Sequence, residues 1–332
     1  RRVARFEMLT TKPLSMENEP ENKSKKEPES VPKNDITQTD IGGEKKIEIK
    51  AAPTKYHKDL NHKDGYLNCL TDKQKQALKD IKIKITEEKI VLEGYFDPEA
   101  ETQDLILLRF LRARNFEVKK AYKLLSDDIA WRKDKDVKSL KKKTEREVLG
   151  CDPKLMHTHL PVWHQGCDKQ GRPVIYKIFG NFQIWEVTKH TSLEKLIDHH
   201  LWQMESYMDL TRENSKKFRH IVETVTVVVD AKDWRLSLFT KEATKFLYRI
   251  SKVDSDHFPE RMGRLIVVNA PYLLSVAWKV IRGWLDPKTQ KKVQIVRGPN
   301  EYEPILKDWI SESSLCDEYG GKAKSLRVTQ NR

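Results

Sequence analysis

The sequence predicts an α/β protein in which a helical N-terminal region precedes a lobe built on a mostly parallel sheet. Two patterns predict it. Helical spacing of apolar residues dominates 66–150, whereas short β-branched runs alternate with helical patterns over 151–325. These runs are almost continuously apolar, as in strands that helices cover on both faces. Residues 1–65 and 326–332 show neither pattern and are interpreted as tails.

The helical region begins with a capping signal. Thr71 and Gln74 have the spacing of a capping box, in which each side chain bonds the backbone of the other residue. Two further helices are predicted over 104–116 and 118–133, because apolar side chains recur there at helical spacing. We therefore expect a helical block ahead of the strands.

Four strands are expected in the lobe, each a short apolar run next to a turn or a helical pattern. The predicted strands are 173–180, 223–231, 264–270 and 293–298. The helical patterns between them are 193–213, 237–251 and 272–285. Because strands alternate with helices along the chain, we expect neighbouring strands of the sheet to run parallel.

Charge and cysteine content limit the class of protein. The 332 residues carry a net charge of +13, but residues 1–60 combine 13 basic with 11 acidic residues. The tail is therefore a polyampholyte, and the positive lobe suits an anionic partner. The four cysteines show no paired CxxC spacing, so a reducing compartment is favoured over a zinc or disulfide framework. No apolar run approaches the roughly 20 residues that span a bilayer.

An arginine interrupts the apolar face of predicted helix 104–116. On a helical wheel Arg114 shares the face of Leu107, whereas Arg109 and Arg112 point to the opposite side, where solvation explains them. An arginine buried in an apolar stripe needs an anion. The alternatives are that Arg114 reaches water or pairs with a structural carboxylate.

The segment 272–285 has a broader apolar arc than a sheet-covering helix needs, and the basic run KTQKK follows it. The apolar residues of interest are Leu273, Leu274, Trp278, Ile281, Trp284 and Leu285. Part of this arc is expected to face something other than the core. The alternative is an ordinary covering helix followed by a solvated basic loop. An apolar cavity closed by a movable helix, with cations at its mouth, would suit acyl chains and a phosphate head.

Several motifs, in order, resemble a known family. FLRARNFEVKKAYKLLSDDIAWRK, GCDKQGRPVIY and FPERMGRLIVVNAPYLLSVAWKVIRGWLDPKTQKKV are similar to the CRAL-TRIO lipid-binding family and, within it, to the secretory phosphatidylinositol transfer proteins. The resemblance covers about 70–325. It implies a small N-terminal helical bundle joined to an α/β lobe. The sheet of that lobe floors a hydrophobic lipid pocket, which a gating helix at 272–285 closes.

The resemblance also implies a function and a site. The function is phosphatidylinositol binding and intermembrane transfer or presentation, in a cytoplasmic, peripheral membrane protein with bound phospholipid as ligand and no other cofactor. The headgroup residues implied are Arg114, Glu260, Thr289 and Lys292. Arg114 and Lys292 would supply positive charge, Thr289 a hydroxyl, and Glu260 an acceptor for inositol hydroxyls. Arg114 could instead hold the pocket together by pairing with a carboxylate.

The choline-lipid site of the same proteins is not matched. Where the family pattern has two tyrosines, this chain has His164 and Ile175, and where it has Ser and Thr on a strand, this chain has Val225 and Val227. The two valines make the pocket wall more apolar. A different hydrophobic second ligand therefore remains an open alternative.

Enzyme and nucleic-acid functions find little support. Cys167 and Arg172 are separated by four residues, one fewer than a phosphatase loop needs, and no GxSxG, HExxH, GxGxxG or Walker motif occurs. His199 and His200 diverge on a helix, so neither a metal site nor a catalytic residue is predicted. No aromatic-studded basic strand indicates nucleic acid. The alternative function is a lipid-binding structural subunit of an organellar assembly, with a protein partner along residues 1–65.

Overall fold

The computed structural model describes residues 64–92 and 100–327. The predicted tail over 1–65 lies outside these ranges except for Asp64 and Gly65, as does most of the tail over 326–332. The helices of the described ranges are α1 (Asp72–Glu87), α2 (Gln103–Ala113), α3 (Val118–Asp134), α4 (Val137–Leu140), α5 (Glu145–Leu149), α6 (Pro153–His159), α7 (Ile184–Thr188), α8 (Leu193–Phe218), α9 (Lys241–His257), α10 (Leu274–Ile281), α11 (Pro287–Gln290) and α12 (Pro299–Trp309). Among them, no helix combines the length and apolarity needed to cross a bilayer.

Five strands form one sheet, in which spatial order follows chain order. They are β1 (Val162–Cys167), β2 (Pro173–Ile178), β3 (Val225–Asp230), β4 (Met262–Val268) and β5 (Val293–Ile295). Strand β1 runs antiparallel to β2, and all other neighbours are parallel. The mostly parallel sheet is thus confirmed. The sequence did not predict β1, because its residues VWHQGC have no apolar run beyond the first two.

Successive side chains along each strand point to opposite sides, so the sheet has two different faces. Ile175, Val225 and Val227 point to one face, which α8 and α9 cover. We call this face the floor. Val174 and Val228 point to the opposite face, which packs against α12.

Helices α1, α2 and α3 pack around one apolar core that includes Ile81, Leu107 and Leu125. At the start of α1 the Thr71 hydroxyl accepts a hydrogen bond from the backbone of Gln74, whose side chain accepts one from the backbone of Thr71. The predicted capping box is confirmed.

Helix α2 ends at Ala113, three residues earlier than predicted. Asn115 and Phe116 have φ angles of 51° and 61°, which a right-handed helix does not accommodate. Arg109 and Arg112 are only 2% and 5% exposed, so the prediction that both are solvated was wrong.

Carboxylates explain why these two arginines are buried. The Nη2 atom of Arg109 donates to Glu101 over 2.7 Å, and that of Arg112 donates to Glu223 over 2.9 Å. Arg261 of the lobe also donates to Glu101, over 2.6 Å. A helical wheel cannot anticipate such partners because they lie outside the helix. The second face of α2 is therefore an ion-paired contact with the lobe.

Candidate lipid-binding site

The floor keeps accessible apolar surface beneath its covering helices. Ile175 and Val225 are buried, but Val227 and Leu265 are only partly buried although β3 and β4 lie inside the sheet. Val227 packs at the edge of two apolar clusters, one formed with α8 and α9 and the other with α10. The helices therefore leave the middle of the floor incompletely covered. Of the two predicted wall residues, Val225 belongs to the packed core and Val227 borders the uncovered part.

Residues 272–285, which we call the lid, form a shorter helix than predicted. Helix α10 covers Leu274–Ile281 and is followed by a 3-10 turn at Arg282–Trp284. Ala277 is 1% exposed and packs on the apolar cluster above the floor, whereas Leu273 is 56% exposed. The lid thus has an inner and an outer apolar side.

The six predicted membrane-contact residues divide unequally between these sides. Leu273 lies outside, and the other five are partly buried: Leu274, Trp278, Ile281, Trp284 and Leu285. Three further exposed apolar residues accompany Leu273, although none of them is among the six predicted contacts: Tyr272, Val276 and Val280. Trp284 instead meets the ring of Tyr248 edge-on, with 5.5 Å between ring centroids. The outer apolar surface is therefore centred on the first two turns of the lid.

Two of the predicted headgroup residues are in direct contact. The Nζ atom of Lys292 donates to Oε2 of Glu260 over 3.0 Å, and both side chains are partly buried. Glu260 follows α9 and has a φ of 58°, and Lys292 precedes β5. The backbone oxygen of Lys292 accepts from Leu265 of β4 over 2.9 Å, which fixes the pair at the edge of the floor.

Thr289 lies one turn before Lys292 on the short helix α11. Asp286 caps this helix, since its Oδ1 accepts from the backbone nitrogens of Lys288 (2.8 Å) and Thr289 (3.0 Å). The backbone nitrogen of Lys292 donates to the oxygen of Thr289 over 3.0 Å. Thr289 and Lys292 are thereby held as one unit.

Arg114 occupies the C-terminal end of α2 rather than its apolar stripe, because the helix has already ended. Its Nη1 atom donates to the oxygen of Ala113 over 3.1 Å, and within the described ranges it has no carboxylate in ion-pair contact. It lines a surface cavity of about 350 Å³ together with Lys120, Lys123, Leu124, Asp127, Asp256 and His257. The last two residues end α9, which leads directly to Glu260.

A further contact joins α11 to the end of α2. The Nζ atom of Lys288 donates to the backbone oxygen of Arg112 over 2.9 Å. Lys288 is adjacent to Thr289, and Arg112 is two residues from Arg114. The structure thus brings together the segments that carry all four predicted headgroup residues, although the only side-chain contact it shows among the four is the one between Lys292 and Glu260.

Comparison with known proteins now identifies the fold family. The family model described as CRAL/TRIO domain matches residues 157–321, and the one described as CRAL/TRIO, N-terminal domain matches residues 72–127. The chain belongs to the CRAL/TRIO family.

The chain is similar to a SEC14 cytosolic factor and to proteins named as phosphatidylinositol/phosphatidylcholine transfer proteins. The SEC14 cytosolic factor of Yarrowia lipolytica is 31% identical over 266 residues, which make up 79% of this chain and 50% of that protein. The phosphatidylinositol/phosphatidylcholine transfer protein SFH7 of Arabidopsis thaliana is 30% identical over 233 residues, or 70% of this chain and 41% of that protein. The chain therefore spans half or less of these two relatives. The crystal structure of Sfh5 has the same fold, with a TM-score of 0.60 at 17% identity over 79% of this chain and 92% of that one.

Sequence reasoning missed two features of this CRAL/TRIO site. The contact between Lys288 and Arg112 joins residues 176 positions apart, and no local pattern indicates it. Lys177 shares the floor face of β2 with Ile175. The two-residue period of a strand carried that signal, because residues 175 and 177 must point the same way.

Proposed function

We propose that the chain binds phosphatidylinositol in its lobe and transfers it between membranes or presents it to another protein. The observation that carries this proposal is the position of the Lys292–Glu260 pair at the edge of an incompletely covered apolar floor. The pair is close to the lid along the chain, because Gln290, two residues before Lys292, donates to the backbone oxygens of Arg282 and Leu285. The names of the relatives, which include phosphatidylinositol transfer proteins, support it.

The floor and the lid together shelter the acyl chains. Burial of apolar surface contributes about 25 cal/mol per Å², so the partly uncovered surface around Val227 and Leu265 favours an apolar guest. Opening requires the lid to leave the cluster that holds Ala277. Its outer residues, such as Leu273 and Val276, enter the bilayer interface and stabilise the open form there.

The charged pair selects the headgroup. When lipid binds, the Lys292 ammonium turns to the phosphate and Glu260 accepts hydrogen bonds from inositol hydroxyls. Arg114 and Thr289 complete the site from α2 and α11. Binding and release involve no covalent step, so the chain acts without catalysis and with lipid as its ligand.

Choline lipid is not expected to bind in the manner of the named phosphatidylcholine transfer proteins. Ile175 and Val225 are buried on the floor, and neither they nor Val227 offers a hydroxyl to a headgroup. A choline lipid is therefore disfavoured relative to phosphatidylinositol, because polar groups of its head would be buried without hydrogen-bond partners.

The protein acts on the cytosolic side of membranes, with which it makes transient contact. A structural subunit tethered through residues 1–65 is the alternative, and those residues lie almost wholly outside the described ranges.

Mass spectrometry of lipid that co-purifies with the native full chain tests the proposal. Phosphatidylinositol is expected as the principal phospholipid. A preparation that carries only neutral lipids, or a phospholipid population with the proportions of the host membrane, would oppose it.

A further inference from the structure

Lys177 lies on the floor, among apolar neighbours. It points to the same face as Ile175, and its partners across the sheet are Val162 on β1 and Val229 on β3. Neighbouring residues directly opposite one another in a sheet share a face. An ammonium group therefore interrupts an apolar surface beneath α8 and α9.

This ammonium makes no close pair within the described ranges, where Lys177 forms neither a hydrogen bond nor an ion pair. The side chain keeps accessible surface, yet burial lowers its pKa, and Asp254 acts in the opposite direction. Because the side chain is partly exposed, a ligand that lies over the floor can reach it. Asp254 is already engaged by Nε2 of His200, 2.7 Å from its Oδ1.

Tyr207 of α8 is a second polar group in the same apolar cluster. It is buried, and within the described ranges its hydroxyl makes no hydrogen bond. Burial raises the pKa of Tyr207, so the phenol stays neutral and remains a donor. Ile175 and Val162 pack in the same cluster as Tyr207, and Lys177 lies opposite Val162 and shares its face with Ile175, so the two polar groups border one cluster.

We propose that Lys177, assisted by Tyr207, binds the carboxylate of a long-chain acid that lies head inward over the floor. This inference rests on the proposed function, because it requires the same apolar interior. It adds a ligand class whose head is held at β2, away from the Lys292–Glu260 pair.

The chemistry of the two groups selects a carboxylate. A desolvated ammonium is costly unless an anion neutralises it, and a single cation balances a single negative charge. The two oxygens of a carboxylate match the two donors, Lys177 and Tyr207. A phosphomonoester would bring a second charge without a partner, and the hydroxyl-free floor offers nothing to a choline headgroup.

Binding of oleic acid and of oleyl alcohol to the delipidated full chain tests this proposal. Lys177→Met removes the charge while keeping the length of the side chain, and Lys79→Met on the exposed face of α1 is the matched control. We expect Lys177→Met to weaken oleate binding by roughly tenfold or more and to change oleyl alcohol binding by less than about twofold. Tyr207→Phe is expected to weaken oleate binding by a smaller factor, and Lys79→Met to change neither ligand.

Two outcomes would overturn the inference: equal oleate affinity with and without the Lys177 ammonium, or an equal loss for acid and alcohol, which would indicate general damage to the interior. Circular dichroism of each variant checks that the fold is retained. Phosphatidylinositol transfer by the unmodified chain separates the two proposals. Transfer together with Lys177-independent oleate binding overturns this inference alone, whereas Lys177-dependent binding without transfer supports it and overturns the proposed function.

Discussion

The ammonium of Lys292 lies 3.0 Å from Oε2 of Glu260, which joins the start of β5 to the turn that follows α9. In the absence of lipid each group neutralises the other. A phosphoinositide headgroup presents an anion to the lysine and hydroxyl donors to the glutamate, so it can replace this contact with two. We therefore propose that lipid binding exchanges this ion pair for contacts with the ligand.

Loss of the lysine charge is expected to impair transfer. Lys292→Ala should lower the rate of phosphatidylinositol transfer between vesicles by about tenfold or more, because it removes a charge-assisted hydrogen bond. Lys291→Ala is the matched control, since Lys291 is exposed and lies next to it in the chain. An equal effect of both substitutions would point to general surface charge and not to a headgroup site.

The outer side of the lid is expected to set membrane affinity. Val276→Ser combined with Val280→Ser should weaken association with anionic vesicles by roughly tenfold, because both exposed side chains lose apolar area that the interface buries. Val91→Ser provides the comparison, as Val91 is also exposed but lies far along the chain from the lid. Sedimentation with vesicles measures the membrane affinity of the lid variant and of Val91→Ser. Unchanged sedimentation of the lid variant would remove these residues from the membrane contact.

The pair between Arg112 and Glu223 is expected to hold the bundle to the lobe. Glu223→Ala should lower the free energy of unfolding by about 3 kcal/mol, because it leaves a buried guanidinium without its carboxylate. Glu213→Ala, at an exposed position, should cost far less. Denaturant titration gives both values. Similar small losses would mean that Arg112 is satisfied by its other contacts, to the oxygen of Gly65 and the ring of Tyr66.

Glu101 is expected to contribute to acid unfolding. Burial raises the pKa of its carboxyl, but Arg261, Arg109 and Arg212 outweigh burial and lower the pKa from 4.5 to about 2. A lowered pKa in the folded state stabilises the protein above the unfolded value, and that contribution disappears as pH falls from 4.5 towards 2. The stability difference between the wild type and Glu101→Gln should therefore shrink by about 3 kcal/mol over this interval.

The exposed control Glu213→Gln should follow the wild-type curve throughout. A difference between wild type and Glu101→Gln that stays constant over this interval would show that the folded protein does not lower the pKa of the carboxyl.

The sequence predicted the sheet and the main helices because their signals are local. The capping box at Thr71 and the apolar run of β3 depend only on neighbouring residues, and both are present. The helix predicted at the lid was too long. A helical wheel treats the whole segment as one α-helix and therefore does not show the change to a 3-10 turn at Arg282.

The proposed site residues were predictable only where they belong to a family motif. Resemblance assigned both Lys292 and Glu260 to the headgroup site without predicting a contact between them, and the structure places them in contact. Arg109 and Arg112 were misjudged because their partners lie elsewhere in the chain, and the energy of a buried charge depends on those partners rather than on its own helix. Arg114 was placed on an apolar stripe that ends one residue before it.

The central claim is that acyl chains lie on the floor beneath the lid. Photo-crosslinking with a phosphatidylinositol that carries a diazirine on one acyl chain, followed by peptide mapping of the adduct, tests it most directly. The account predicts adducts in β3 and β4, around Val227 and Leu265, that excess unlabelled phosphatidylinositol suppresses. Adducts confined to exposed residues such as Leu273, with none on these two strands, would contradict it.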